Sequence, residues 1–493
     1  MREAGANMNE QERSIDLRAV ALDILTRVTE NGDYLNHLLR QTLDKYAYLD
    51  RSDRAFLSRL CIGTTERRIQ LDHCIDEVSK VPVRKMKPFI RNLLRIGAYQ
   101  LYEMDGVKDY TICDLAVKLA KKRKYTSLSG FVNGVLRALI RNRDQRVGDM
   151  RPHSGSVSDF YRKLLPKASE AVIFGLPDFI YDRLKTAYPE RLSVICEAFM
   201  DHESLPTSVH LLKTDRVFPE NRIRERIDQG ILAVHPCDGR EPNEAEMFVS
   251  PRLDQLLKMP EYRDGFFMVQ DISSFLVGKL LPLEKNDRVL DLCASPGGKT
   301  FHAADRLCRL DPSMHPVLSC DLRPDKVMRI EENRRFYHME DKVTTLLWDA
   351  TRPGLLETIK QEPFDIVIAD VPCSGLGMLG NKPDIRHRLT EKDLESLAAL
   401  QKEILRQAAS YVRPGGTLLY STCTLNPAEN SDQMLWFCEN FPFYEDTGSD
   451  KEIREAFGLC KYQPYREKKG YSLLPGEYPG EGFYLCRLTK RFE

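Results

Sequence analysis

Two cysteines fifty residues apart carry the chain's most reactive chemistry: Cys373 in ADVPCSGLG and Cys423 in LLYSTCTLNP. Each follows an apolar stretch that reads as a buried parallel strand. Both thiols are therefore expected at strand C-terminal ends, where open α/β sheets assemble their sites. Cys196, Cys308, Cys438 and Cys486 read instead as small core hydrophobes. The difference lies in the neighbours. Pro372 precedes Cys373 with Ser374-Gly375 after it, and Thr422 precedes Cys423 with Asn426-Pro427 beyond. Asp370 stands three residues before Cys373, so an acid accompanies a nucleophile past a strand end, a pattern that points to catalysis. Two thiols at one sheet edge point to covalent chemistry.

A third segment, DLCASPGGKT from Asp291 to Thr300, lies where a strand gives way to a helix. Gly297 and Gly298 permit positive φ and close backbone approach, and the first amides of the helix that follows are open to a ligand. Gly298-Lys299-Thr300 imitates the end of a phosphate-binding P-loop, but that motif needs glycine five positions before Gly298, where Cys293 stands. A dinucleotide GxGxxG is absent too. A nucleoside-type cofactor fits the loop best, with a nucleoside triphosphate or a plain tight turn as the alternatives. Asp321 ends PVLSCD, roughly 20 residues past the glycines, where a carboxylate can bind ribose hydroxyls. Asp349 ends TTLLWD, where it can accept an exocyclic amino proton from adenine. For either aspartate the competing role is a helix N-cap.

The elements that must position these residues fall into distinct regions. Leu17, Val20, Ala21, Ile24, Leu25 and Val28 follow a three/four spacing. AFLSRLCIGTTERRIQLDHCIDEV, FIRNLLRIGAYQLYEM, TICDLAVKLAKK and LSGFVNGVLRALIRN continue it. Residues 10–145 therefore read as an all-helical domain, 146–165 as a Gly/Ser/Pro-rich linker, and 166–275 as an α+β connector. In 276–493, RVLDLCA, PVLSCDL, VTTLLWD, FDIVIADV and GTLLYSTC alternate with helical segments, which predicts a mostly parallel α/β sheet. GFYLCRL, 482–488, reads as an added antiparallel edge strand.

At 493 residues the chain has room for several cores. Its 13 cysteines are scattered, with no CxxC pair and no zinc spacing, which argues against a disulfide framework or a metal site and for a cytoplasmic location. No apolar run is long enough to span a membrane. Net charge is zero, but residues 1–145 hold 26 Lys+Arg against 19 Asp+Glu while the remainder holds 47 against 54. Arg84, Lys85 and Lys87, and Lys121, Lys122, Arg123 and Lys124, form two clusters that can neutralise phosphates or simply be solvated helix faces.

DLCASPGGKT, ADVPCSGLG and GGTLLYSTCTLNPAEN resemble, in order and spacing, three signatures of the NOL1/NOP2/Sun family of RNA cytosine-5 methyltransferases. The helical front, with SGFVNGVLRAL, resembles the NusB-like domain fused to that catalytic unit in bacterial members acting on 16S ribosomal RNA. The resemblance implies a Rossmann-like methyltransferase domain, S-adenosyl-L-methionine as cofactor, RNA as partner, a monomer, and methylation of cytosine carbon 5 through a cysteine adduct on carbon 6. It also implies that Cys423 attacks, that Cys373 assists release of the enzyme, and that Asp370 contacts the base. A Pro-Cys pair alone invites the opposite cysteine assignment, since such a pair carries the nucleophile in DNA cytosine-5 methyltransferases. By the same carry-over, Cys293, Ala294, Ser295, Pro296, Gly297, Gly298 and Lys299 line the cofactor, Asp321 holds its ribose, Asp349 faces its adenine, and Asp370 lies near the methyl donor. Ser295, Val371 and Glu481 depart mildly from the family pattern. His387 stands where an aromatic, usually Trp, is expected, and offers a weaker platform for stacking a base. Transfer RNA as substrate, a P-loop NTPase, and a non-catalytic RNA-binding adaptor are the competing readings.

Overall fold

The stripe that begins at Leu17 winds as a helix, Leu17–Thr26, extended by one π turn, and buries Ala21, Ile24, Leu25 and Val28. Asp16 caps it by accepting from the Ala19 amide, which satisfies one of the donors a helix start leaves open. The computed structural model describes residues 15–492 except 153–154, 201–206, 214–219, 237, 239, 243, 447–454 and 456–462, so the first residues of the expected helical domain, 10–14, lie outside the described ones. The described chain forms two compact units.

One unit is helical, runs to Lys185 and takes in Leu379–Arg388. Its central helix, Pro88–Glu103, buries thirteen of its sixteen residues, starts on proline, and has neighbours Asp109–Lys122 and Ser129–Arg146. The stretch from Ala55 to Val78, which reads as one helix, is two, Arg51–Glu66 and Arg68–Val78. At the break Arg67 turns inward onto Glu66 at 2.7 Å and Glu103 at 3.3 Å, as a buried cation requires. The segment read as a linker, 146–165, contains a helix, Val157–Leu164, with Phe160, Tyr161 and Leu164 fully buried and the Tyr161 hydroxyl donating to Glu103. Its Gly and Pro residues precede that helix, and the apolar residues of the helix pack.

The other unit holds two sheets. In the connector region β1 (Thr207–Leu211), β2 (Ala233–Val234), β3 (Met247–Ser250) and β4 (Phe267–Val269) pair antiparallel in the order β2-β3-β1-β4. The larger sheet has nine strands: β5 (Val289–Asp291), β6 (Val317–Asp321), β7 (Val343–Leu347), β8 (Phe364–Asp370), β9 (Val412–Thr422), β10 (Phe443–Glu445), β11 (Tyr465–Arg466), β12 (Tyr471–Leu473) and β13 (Phe483–Lys490). Its order is β11-β12-β13-β9-β8-β5-β6-β7, with β10 on β13 and the pairs from β9 to β7 parallel. The mostly parallel α/β core expected of 276–493 is present. β13 is antiparallel as expected but interior, because β12 pairs beyond it.

Alternation along the strands feeds two cores. Val289, Ile366, Ile368 and Leu419 face one, while Leu290, Val367, Ala369 and Leu418 face the other, which is why these strands read as unbroken apolar runs. From β5 the chain steps outward to β6 and β7, then crosses back to β8 on the other side of β5. The strand order therefore reverses between β5 and β8, the point at whose strand C-terminal ends open α/β sheets form their ligand crevice.

Candidate active site

Both cysteine loops leave the sheet beside that crevice. Asp370 is the last residue of β8 and pairs in register with Ser421 of β9, so three residues on one strand and two on the other bring Cys373 and Cys423 together. Their sulfurs are 3.3 Å apart, within hydrogen-bond reach. Neither thiol is fully buried, whereas Cys196, Cys308 and Cys486 are. Cys438, read as a core residue, is only partly buried. None of the cysteines among the described residues is in a disulfide. The hydrogen-bonded Cys423, then burial, then the charges of Cys423 and Glu429 push the Cys373 thiol well up.

Asp370 is the electrostatic centre of the site. Its Oδ2 accepts from Lys299 Nζ at 2.6 Å and its Oδ1 from the Ser421 hydroxyl at 2.8 Å. Lys299 comes from the glycine loop's helix, Gly298–Leu310, lies 5.0 Å from the Phe483 ring centroid, and reaches Ser274 at 3.4 Å. The structure thus joins DLCASPGGKT to ADVPCSGLG by an ion pair whose lysine is buried. Gly377 closes the site from below: its amide donates to the Cys423 carbonyl, its carbonyl accepts from the Gly482 amide, and a Cβ on it would stand 2.0 Å from the Gly482 oxygen. Only glycine fits there.

The glycine loop follows β5, and Gly297 has φ +105°, with a Cβ placed 2.3 Å from the Phe301 ring. Asp321, at the end of β6, is 4% exposed and accepts from the Ser295 amide at 3.3 Å. Asp349, just past β7, accepts from the Thr351 amide and hydroxyl and pairs with Arg352 at 3.3 Å. It therefore holds its own turn, and the helix that follows starts later, at Leu355, with Gly354 before it. Asp291 carries no sequence signal beyond its place at a strand end. It is buried at the end of β5, accepts from Thr300 at 2.7 Å through one oxygen, and leaves the other without a partner. Burial lifts its carboxyl to about 7.

The Nε2 of His387 lies 2.7 Å from the Thr65 carbonyl and donates to it inside the helical unit. Burial, then the charges of Arg68 and Arg386, hold the imidazole neutral. Arg386, 1% exposed, donates to the Leu379 and Gly175 carbonyls. The turn Pro383–His387 is an anchor by these bonds.

Residues 278–489 match the family model described as 16S rRNA methyltransferase RsmB/F, and residues 16–141 match the NusB family. A probable ribosomal RNA small subunit methyltransferase B of Bacillus subtilis is 30% identical over 486 residues, covering 97% of this chain and all of the relative. The chain belongs to the RsmB/F methyltransferase family. The fold agrees: the crystal structure of PH0851 superposes with a TM-score of 0.71 at 19% identity over 97% of this chain and 99% of that one. NSun6 from Pyrococcus horikoshii with SFG gives 0.52 at 16% over 64% and 99%.

As a family member the chain is an S-adenosylmethionine-dependent rRNA methyltransferase. The site fits that cofactor on its own terms. A ligand carrying sulfonium and ammonium charges calls for acidic surroundings, and Asp291, Asp321 and Asp370 end three adjacent strands around the glycine loop, close enough that all three carboxylates raise the Cys293 thiol after burial has done so. Asp291 has a buried oxygen free to accept. Among the described residues no group of three or more His, Cys, Asp or Glu is arranged to hold a metal ion, and no helix is long and apolar enough to cross a membrane.

Proposed function

We propose that this enzyme methylates carbon 5 of one cytosine in 16S ribosomal RNA through a covalent adduct between Cys423 and carbon 6 of the base. The observation that carries the reading is the 3.3 Å approach of two thiols beside a buried Lys299–Asp370 pair. Carbon 5 of cytosine is a poor nucleophile until a thiolate adds to carbon 6, and splitting the reaction this way replaces one hard step with two easier ones. S-adenosylmethionine, when bound, supplies an electrophilic methyl group. Cys293 to Lys299 would hold it with Asp321 at the ribose, Asp349 toward the adenine, and Asp370 near the methyl donor. Asp370 would also meet ring nitrogen 3 of the base and share with it the proton that neutralises the negative charge accumulating there as the adduct forms, with Lys299 and Ser421 fixing its carboxyl group. Cys373, beside Cys423, would hydrogen-bond the departing Cys423 sulfur as the adduct collapses.

Bisulfite sequencing of ribosomal and transfer RNA from a strain lacking this gene is expected to show one 5-methylcytosine missing from 16S rRNA. Its persistence, or loss of a transfer-RNA mark instead, would overturn the substrate assignment.

A base must leave its stack to be reached, so the enzyme needs a grip on RNA away from the chemistry. The helical unit supports one. Phe89 and Tyr125 stack at 4.5 Å with an interplanar angle of 4°, and Lys87 lies 5.6 Å from the Tyr125 ring centroid. This joins the two basic clusters, whose Arg84, Lys85, Lys87, Lys121, Lys122, Arg123 and Lys124 are all exposed, into one patch. Arg123 is engaged with Asp23. Replacing Lys85, Lys87, Lys122 and Lys124 together by glutamine is expected to weaken RNA binding by roughly 10-fold or more and to flatten its salt dependence, by up to about 0.9 in log–log slope for each phosphate that is no longer neutralised. Filter binding across a salt series checks this. An unchanged slope would place the RNA elsewhere.

A further inference from the structure

Glu429, six residues past Cys423, is a buried carboxylate that takes four hydrogen bonds, all from neutral donors. Its Oε2 accepts from the Ser374 amide at 2.9 Å and Gln401 Nε2 at 3.0 Å. Its Oε1 accepts from the Ser374 hydroxyl at 2.6 Å and Asn426 Nδ2 at 2.8 Å. A site that presents donors to both oxygens suits an ionised carboxylate, which accepts and does not donate. The donors come from three places: the Cys373 loop, the Cys423 loop, and the helix Glu391–Tyr411. Gln401 also donates to the Pro372 carbonyl at 2.9 Å. Cys373 is therefore clasped through the residue on either side of it. The clasp is braced by Thr424, whose hydroxyl lies 2.7 Å from that of Ser374, by Asn430, which donates to the Thr424 carbonyl, and by Tyr420, whose hydroxyl donates to the Glu429 carbonyl.

We infer that Glu429 is the positioning residue that gives the two thiols different roles: bonded to the amide and hydroxyl of Ser374, the residue after Cys373, it holds Cys373 against Cys423 as a donor to that sulfur. This rests on the reading that Cys423 attacks. Cys423, Glu429 and Tyr420 face Cys373. Among the described residues the Glu429 side chain is bonded by neutral donors, whereas the Asp370 carboxylate pairs with Lys299. Both the Cys423 sulfur and Glu429 push the Cys373 thiol up, in the same direction as burial.

The consequence is a division of labour in the last step. The carbon 5 hydrogen leaves as a proton to water, its electron pair forms the carbon 5–carbon 6 double bond, and the carbon 6–sulfur bond breaks with its pair returning to Cys423. A protonated Cys373 within 3.3 Å donates a hydrogen bond to that sulfur as charge appears on it.

The test is Glu429→Gln in the full chain, a change of charge at nearly constant shape. Initial rates of iodoacetamide alkylation across pH, read by peptide mass spectrometry at Cys373 and Cys423 separately, are expected to show the Cys373 midpoint falling by about one pH unit, a tenfold rise in its thiolate at a given pH. Turnover should fall at least tenfold while S-adenosylhomocysteine binding is kept. A folded Glu429→Gln protein whose Cys373 profile superposes on the native one overturns the inference. If that variant does not fold, the native chain decides: Cys423 alkylated at lower pH than Cys373 upholds it, and coincident or reversed midpoints overturn it. Adduct trapping in Cys373→Ala tests the attacking cysteine separately, so the two failures are distinguishable.

Discussion

Cys423→Ala is expected to abolish methyl transfer, by about 10⁴-fold or more, the scale reached when a covalent nucleophile is removed, and to leave no covalent RNA complex. Cys373→Ala is expected to do the opposite to the complex: methylation stops, but the enzyme accumulates bound to its RNA, visible as a band of reduced mobility on a denaturing gel. The asymmetry follows from position. Cys423 is reached by β9 directly, while Cys373 sits on a loop clasped from both sides, suited to assisting a sulfur that leaves. The two sulfurs are near enough that either could add to carbon 6 if free to ionise, so the gel decides between the roles. An adduct in Cys423→Ala and none in Cys373→Ala would reverse them.

The parts of this molecule written in contiguous sequence are legible in it. Buried parallel strands are apolar on both faces, so β5 to β9 stand out as runs, and because sites of open sheets gather at strand C-terminal ends, the residues just past those runs are the ones to suspect. The pairing of Cys373 with Cys423 is accessible for that reason. What stays hidden depends on partners far away in sequence. Glu429 looks like one more acid in a polar turn until folding brings Ser374 and Gln401 to it. Asp291 reads as the end of a strand, and nothing local says that one of its oxygens ends without a partner. β13 has an edge strand's composition, and only its pairing with both β9 and β12 makes it interior. His387 reads only as a family position for a base platform, and nothing local says that its nitrogen meets the Thr65 carbonyl, more than three hundred residues earlier. The linker reading fails in its second half for a related reason: Gly, Ser and Pro describe 146–156 well, but the helix Val157–Leu164 is held by tertiary burial of Phe160, Tyr161 and Leu164.

Asp370→Asn is expected to lower turnover by about 10²–10³-fold, the range seen when one oriented group aimed at developing transition-state charge is lost, and to do so without accumulating adduct. Two effects act together. The substitution leaves the Lys299 ammonium, 8% exposed in its side chain, with no carboxylate at 2.6 Å, and a buried cation stripped of its partner is costly. Asp370 itself is 31% exposed, so water screens part of that cost. The amide also changes what meets the base: a carboxyl group can share a proton with ring nitrogen 3, whereas an amide has no acidic proton to share. Its NH₂ would have to point toward either Lys299 or Ser421, and both of these already donate to this side chain. Because the carboxylate acts while the Cys423 adduct is forming, its loss slows attack itself, so the denaturing gel should show less RNA-bound enzyme than native under the same conditions. Single-turnover methyl transfer with radiolabelled cofactor measures the rate. If Asp370→Asn instead accumulated adduct as Cys373→Ala does, Asp370 would act after attack, and its proposed contact with ring nitrogen 3 would have to be given up.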